Sequence, residues 1–403
     1  MTQLKNKCVI LGISGGIAAY KMANVASALV KMGADVHVLM TANATQFITP
    51  LTFETLTKHK CLIDTFDRNF EYDVQHISLA KKADLILIAP ATADIIAKMA
   101  NGIADDMLTT VVLAATCKKL FAPSMNTAML ENPITQDNIA KLIHYGFSCI
   151  EPESGLLACK DVGKGKLPEP EVLVERICHE IAYEKDLQGV RICVTAGPTR
   201  EALDPVRFLT NYSSGKMGYA IAKRAAMRGA DVTLISGPVN LDLPYGVQKI
   251  AVESAEEMFT AVKEALPKTD ILIKAAAVAD YTPQSVADQK MKKSDQDLVI
   301  PLKRTQDILK YCGEHKQEGL FLCGFSMETQ DMVENSRKKL VTKNLDMIAA
   351  NNVKVEGAGF GVDTNILTLI TAGGSKELPQ LSKEDAAGAL LDEIKAARAK
   401  SMM

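Results

Sequence analysis

The chain repeats itself. The segment "KMGADVHVLMT", in which Gly33 follows a helical pattern and Val36, Val38 and Met40 alternate behind it, returns far downstream as "MRGADVTLISG", with Gly229 in the place of Gly33. A second pair follows in the same order: "KADLILIAPATAD" around Asp84 and "KTDILIKAAAVAD" around Asp270. A glycine closing a helix with a short apolar run behind it marks a chain turning from helix into strand. Two such echoes predict two similarly wound halves, each a parallel sheet covered by helices on both faces. The expected fold is α/β, with two Rossmann-like parallel-sheet domains in tandem. Their seam belongs in the charged, amphipathic stretch "EVLVERICHEIAYEKDLQG", which ends at Gly189 before a strand starting at Arg191. The expected domains are 1–189 and 190–403.

With 403 residues, 47% of them hydrophobic, the chain can fill two large cores. Its 46 basic and 48 acidic residues are spread evenly, which argues against a nucleic-acid face or a membrane-seeking stripe and points to small charged partners. The start, "MTQLKNKCVILGISGG", reaches glycine after a short apolar run, so neither a signal peptide nor a membrane span is expected. Nine cysteines without a CxxC pair, several inside apolar strands, read as reduced thiols of a cytoplasmic protein, mostly buried and inert.

Ligands of such sheets sit beyond the carboxyl ends of the strands, so the residues after each apolar run are the candidates. In the first half, "GISGGIAAYK" lacks the dinucleotide spacing, and the second strand ends in Met40-Thr41 with no acid for a ribose. Two further turns, "IAPATADIIAKMANGIADD" and "FAPSMNTAMLENPITQDN", put small and amide residues at the same edge. Any one of them could be only a tight turn, whereas three together suit a flat ring lying against the backbone. In the second half, "NYSSGKMGYA" has the Gly-Lys of a P-loop, yet Met217 stands where that loop needs Ser or Thr. Ser213, Ser214, Gly215 and Gly218 open a helix whose first amides can hold phosphate oxygens without P-loop geometry. Lysines in "ADQKMKKSD" and "RKKLVTKNLD" fit a solvated face or the scattered cations that a triphosphate needs.

The series "SGGIAAYK", "VQHISLA", "APATA", "NGIADD", "PSMN" and "GLLACKDVGKGKLPEP", spread over residues 7–170, resembles the homo-oligomeric flavin-containing cysteine decarboxylase family. That resemblance implies FMN, its phosphate on Ser14, Gly15 and Gly16, with Thr41, Ala91 and Thr92 near its ribityl chain or ring. Loss of carbon dioxide from a cysteine amide needs an electron sink, which oxidation of the thiol to a thioaldehyde creates and a flavin can perform. His76 is then the candidate base, Asn126 the uncharged donor to the departing carboxylate, and Cys159, in a glycine-rich flap, the acid that protonates the enethiol. His76 alone would also fit a surface position at a helix start, and Cys159 a packing thiol. Lys160 and Lys166 stand where that family commonly has Gly and Arg.

The run "RICVTAGPTREALDPVRFLTNYSSGKMGYAIAKRAAMRGADVTLISG" is similar to the phosphopantothenate–cysteine ligases, and the two halves in this order resemble the bifunctional coenzyme A biosynthesis family of bacteria. The resemblance implies that the carboxylate of 4'-phosphopantothenate attacks CTP, that cysteine displaces CMP, and that the first half then yields 4'-phosphopantetheine. CTP would lie among Ser213, Ser214, Gly215, Lys274, Ala275, Ala276, Asp280, Lys290, Gln306, Asp307, Ile308, Leu309, Phe325, Lys339 and Lys343. Mg²⁺ would sit on Asp280, a residue that otherwise reads as a helix cap. Asn211 is the candidate donor to the acyl oxygen, or else only part of the helix N-terminus. Ser326 and Met327 in "GFSMET" depart from the commoner small-residue version. The family also implies a homo-oligomer, trimers assembled into a dodecamer. Two other readings stay open here: a different flavin-dependent decarboxylase or prenyltransferase, and a flavin- and nucleotide-binding regulator without turnover.

Overall fold

The computed structural model of the protein describes residues 3–66, 75–156, 162–292, 299–328, 332–352 and 362–401. The chain forms two compact units, Met1–Tyr183 and Glu184–Met403.

In the first unit, β1 (Cys8–Ile13), β2 (Asp35–Met40), β3 (Leu85–Ala91), β4 (Lys118–Pro123) and β5 (Ser148–Cys149) form one sheet in the order β2-β1-β3-β4-β5. Every neighbouring pair is parallel. β1 and β3 are buried from end to end, as central strands with helices on both faces must be. Ile86, Ile88 and Phe121 of the sheet pack with Ile95, Leu108 and Val111 of the helices Ala93–Ala100 and Met107–Ala114. The second of these helices starts in a capping box: Asp106 accepts the Thr109 amide at 2.7 Å, and Thr109 Oγ1 accepts the Asp106 amide at 3.2 Å. The last acid of "NGIADD" is therefore a cap. After β5 comes an antiparallel ribbon, β6 (Glu153–Leu156) and β7 (Val162–Lys166).

The second unit contains β8 (Arg191–Ala196), β9 (Arg200–Ala202), β10 (Phe208–Thr210), β11 (Asp231–Ser236), β12 (Val247–Ala251), β13 (Ile271–Lys274), β14 (Tyr281–Pro283), β15 (Leu302–Arg304), β16 (Phe321–Glu328), β17 (Met347–Asn352), β18 (Thr364–Asn365), β19 (Leu367–Thr371), β20 (Gly374–Glu377) and β21 (Leu381–Ser382). Eight of them make the main sheet, β12-β11-β8-β13-β16-β17-β19-β20. From β12 to β17 it is parallel. β19 and β20 add an antiparallel edge, which the repeated halves did not foretell. One face packs on the helices Lys216–Met227 and Lys383–Ser401 through Ile221, Ala225, Leu390 and Ile394. The other packs on Met258, Val262, Ile308 and Leu340.

The two echoes have a structural cause. Gly33 and Gly229 both adopt left-handed backbone, φ 86° and 88°, and turn the helix into β2 and β11, the second strand along the chain of each main sheet. Asp84 accepts the amide of Cys8, and Asp270 that of Arg191, both at 2.8 Å. Each repeated acid clamps the start of its unit's first strand. Among the described residues no helix is long and apolar enough to cross a membrane.

Candidate functional sites

The turns beyond β1, β3 and β4 surround a cavity of about 610 Å³ in the first unit, with β7 along one side. Ser14, Gly15, Gly16, Thr41, Thr92 and Asn126 all line it. The buried Ser14 hydroxyl donates to the Pro90 carbonyl at 2.7 Å and accepts the Thr92 amide at 3.1 Å, so it locks the first turn to the third. Gly15 passes so close to the loop after β2 that a Cβ would stand 2.4 Å from Asn43 Cβ. Bare backbone at this point leaves the cavity a wall that a flat ligand can approach. Ala91 lies behind that wall, fully buried, its carbonyl accepting the Ser124 amide.

Asn126 caps the short helix Thr127–Glu131, its Oδ1 accepting the Ala128 amide at 2.9 Å, and this bond sets the orientation of the amide. β7 is fastened to the same turn. The Met125 amide donates to the Gly165 carbonyl at 3.1 Å, and Thr127 Oγ1 to that of Lys164 at 2.9 Å. Below them Lys21 reaches the Leu167 carbonyl at 3.2 Å and Glu169 at 3.0 Å, while Lys166 reaches the same Glu169 at 2.9 Å. The two ammonium groups, Lys166 foremost, hold the Glu169 carboxyl below its ordinary range. Lys21 and Lys166 both line the cavity. Lys21 had only its place in "SGGIAAYK" to signal it. His76 is the second residue of the helix Gln75–Lys82, half-buried, and is not among the residues lining the cavity. Cys159 and Lys160 fall outside the described residues.

In the second unit a cavity of about 340 Å³ lies beyond the carboxyl ends of β8, β13 and β16, lined by Ser213, Ser214, Gly215, Lys274, Ala275, Ala276, Asp280 and Phe325. Gly215, at φ 76°, caps the helix Lys216–Met227. Gly218 serves packing: a Cβ there would meet Ala196 Cβ at 2.5 Å, so its absence lets the helix start press against the end of β8. Lys274 ends β13 half-buried. Its pKa is depressed, first by burial and then by the charge of Lys343, partly offset by Asp307 and Asp280. Lys343 pairs with Asp307 at 2.8 Å, and Asp307 caps the helix Ile308–Glu314 by accepting the Lys310 amide at 3.0 Å.

The other predicted residues are placed less directly. Ile308 and Leu309 point into the core, so only their backbone can serve a ligand. Lys290, Gln306, Lys339 and Lys343 are not among the lining residues, and Lys339 Nζ lies 3.4 Å from Ser326 Oγ. The side chain of Met327 lies outside the described residues. Asn211 donates to the Ala277 carbonyl at 2.6 Å and accepts the Ser213 amide at 3.1 Å, which ties the Ser213–Gly215 turn to the segment after β13. Polar lining residues that the sequence did not single out are Lys383, Asn351 and Asn365, and Lys216, seen there only as part of a Gly-Lys pair, lines the cavity too. Asn351, on β17, is buried, and among the described residues its Oδ1 has no hydrogen-bond partner, an acceptor that a ligand's N–H can satisfy. Its position near a strand's carboxyl end was the available signal.

Comparison with known proteins covers the chain twice over. The family model described as Flavoprotein matches residues 1–182, and that described as DNA/pantothenate metabolism flavoprotein C-terminal domain matches 187–397. The coenzyme A biosynthesis bifunctional protein CoaBC of Bacillus subtilis is 52% identical over 397 residues, 98% of each chain. The protein of that name from Vibrio cholerae is 49% identical over 396 residues, 98% of this chain and 99% of the other. That of Escherichia coli is 42% identical over 394 residues, 97% of each.

Proposed function

The chain belongs to the coenzyme A biosynthesis bifunctional family, which joins a flavoprotein decarboxylase to a ligase, and from that premise we propose how its two cavities divide the work. The second unit ligates cysteine to 4'-phosphopantothenate at the expense of CTP, and the first decarboxylates the product to 4'-phosphopantetheine. The observation that carries this division is the pair of separate cavities, each at the carboxyl ends of its own parallel sheet.

In the second unit, the Ser213–Gly215 turn and the helix amides behind it receive the phosphates, with Lys274 and Lys216 as cations. The orphan acceptor of Asn351 fits an exocyclic amine such as that of cytosine. Asp280, exposed at the cavity wall, is the carboxylate suited to Mg²⁺. Asn211 fixes the turn, and donates to an acyl oxygen if the Ala277 carbonyl yields its place.

In the first unit, the Gly15–Gly16 turn, Thr41 and Thr92 hold FMN. When bound, the flavin supplies the two-electron oxidation and later reduction of the substrate's thiol-bearing carbon. Asn126 orients the departing carboxylate with an uncharged donor, which a cation would hold too firmly. Cys159 returns the proton to the enethiol. His76 acts as base, and its place outside the cavity of its own chain supports a site completed in a homo-oligomer. A cytoplasmic location suits substrates of this kind.

Sorting the two half-reactions tests the scheme. Asn126→Ala should abolish carbon dioxide release yet leave pyrophosphate release at its normal rate, and Asp280→Asn should do the reverse. Loss of both activities in either variant would refute the division.

A further inference from the structure

At the amino ends of β1 and β2, the pole of the first sheet opposite its cavity, three side chains able to ligate a metal converge, with a further histidine beside them. Cys8 opens β1, Asp35 and His37 lie on β2, and His59 follows the helix Pro50–Thr57. Ligand atoms of Cys8, Asp35 and His37 all lie within 4.8 Å of one another. His59 Nε2 is 2.7 Å from Asp35 Oδ1, and its ring stacks on that of His37 with centroids 4.2 Å apart. A cation already stands among them. Lys82 Nζ is 2.6 Å from Asp35 Oδ2 and 3.3 Å from His37 Nε2, so it donates to the same imidazole lone pair that a metal would take. A simple ion pair has no use for a thiol and an imidazole beside its carboxylate; a tetrahedral ion of borderline softness uses all three, while His59 holds the far oxygen of Asp35.

We propose that Cys8, Asp35 and His37 form a binding site for a divalent transition ion of the zinc class, its fourth position left to solvent, with the Lys82 ammonium as its displaceable stand-in. Binding as a thiolate would release the Cys8 proton to solvent. Bound metal would join the starts of β1 and β2. It would also release Lys82, the last residue of the helix that carries His76. None of these ligands lines the cavity beyond the carboxyl ends.

Cobalt(II) titrated into the flavin-loaded full chain, with thiols kept reduced, reads the site directly. Four-coordinate cobalt with a thiolate ligand absorbs strongly in the red, where oxidised flavin is transparent, while a six-coordinate oxygen site absorbs only weakly. The expected result is one strongly absorbing cobalt per chain, lost in Cys8→Ser and in His37→Gln, each checked for retained flavin. Lys82→Met keeps every ligand and removes the competing charge, so it should tighten binding by about tenfold or more. The proposal fails if the wild-type chain shows no such bands, if they persist undiminished in both ligand variants, or if Lys82→Met does not bind more tightly.

Discussion

Lys274 shows how a single charge can be tuned by its setting. Burial, then Lys343, push its pKa below the ordinary 10.5, so its setting disfavours the charged form. A triphosphate reverses that preference. Below the depressed pKa the amine is already charged and the nucleotide binds without proton uptake; above it, binding must recruit a proton, and affinity falls by up to about tenfold per pH unit. CTP affinity measured against pH should therefore be flat and then decline, with the break below 10.5. Lys274→Met should bind more weakly at neutral pH and lose the break. A break that survives in Lys274→Met would assign the titration to another group. Lys274 could be read from its position after an apolar run. Its depression could not, because Lys343 and Asp307 reach it only through the packing of β13 beside β16 and the helices that follow.

The ribbon of β6 and β7 is an element whose use depends on one glycine. Gly165, at φ 141°, lies so near the Met125 turn that a Cβ would come within 2.1 Å of the Met125 carbonyl oxygen. No flexible side chain can give way there. Gly165→Ala should therefore detach β7 from the Met125–Asn126 turn, and the rate of carbon dioxide release should fall by at least about tenfold. Ligation should be untouched. Parallel assays of the two half-reactions check this, and a normal decarboxylation rate would show that the ribbon's attachment does not position the reacting groups. The sequence showed a segment rich in glycine; the left-handed geometry that singles out Gly165 comes from the strand pairing.

At the scale of the molecule, each unit has its own sheet and its own buried apolar clusters. Chains of 1–183 and 184–403 made separately should therefore each perform one half-reaction at a rate within about threefold of the intact protein. The first should retain flavin colour. Coupled formation of 4'-phosphopantetheine from the mixture, compared with the intact chain at equal concentration, measures what the covalent link adds. Failure of either piece to fold would mean that the halves are stabilised by each other. The pairing also places the network of Arg228 within the second unit, where its guanidinium binds Asp186 at 2.6 and 2.8 Å and Asp392 at 2.7 Å, fastening the last helix to the strand entrance.

By itself the sequence determined the features that depend on near neighbours along the chain. These are the helix-to-strand turns at Gly33 and Gly229, the apolar runs of β1, β3, β8 and β13, and the small-residue turns that put Ser14, Thr92, Asn126 and Ser213 at the carboxyl edges of two sheets. Backbone sterics and hydrophobic periodicity act over a few residues, so they are legible there. The tertiary structure alone decided what joins distant segments. It set the antiparallel edge of β19 and β20, the commitment of Asn211 to Ala277, the burial of Asn351, and the place of His76 outside its own chain's cavity. It also gathered Cys8, Asp35, His37, His59 and Lys82 into one cluster. Those contacts follow from strand register and helix packing, which the whole core fixes by burying apolar faces together, and no local stretch of the chain encodes them.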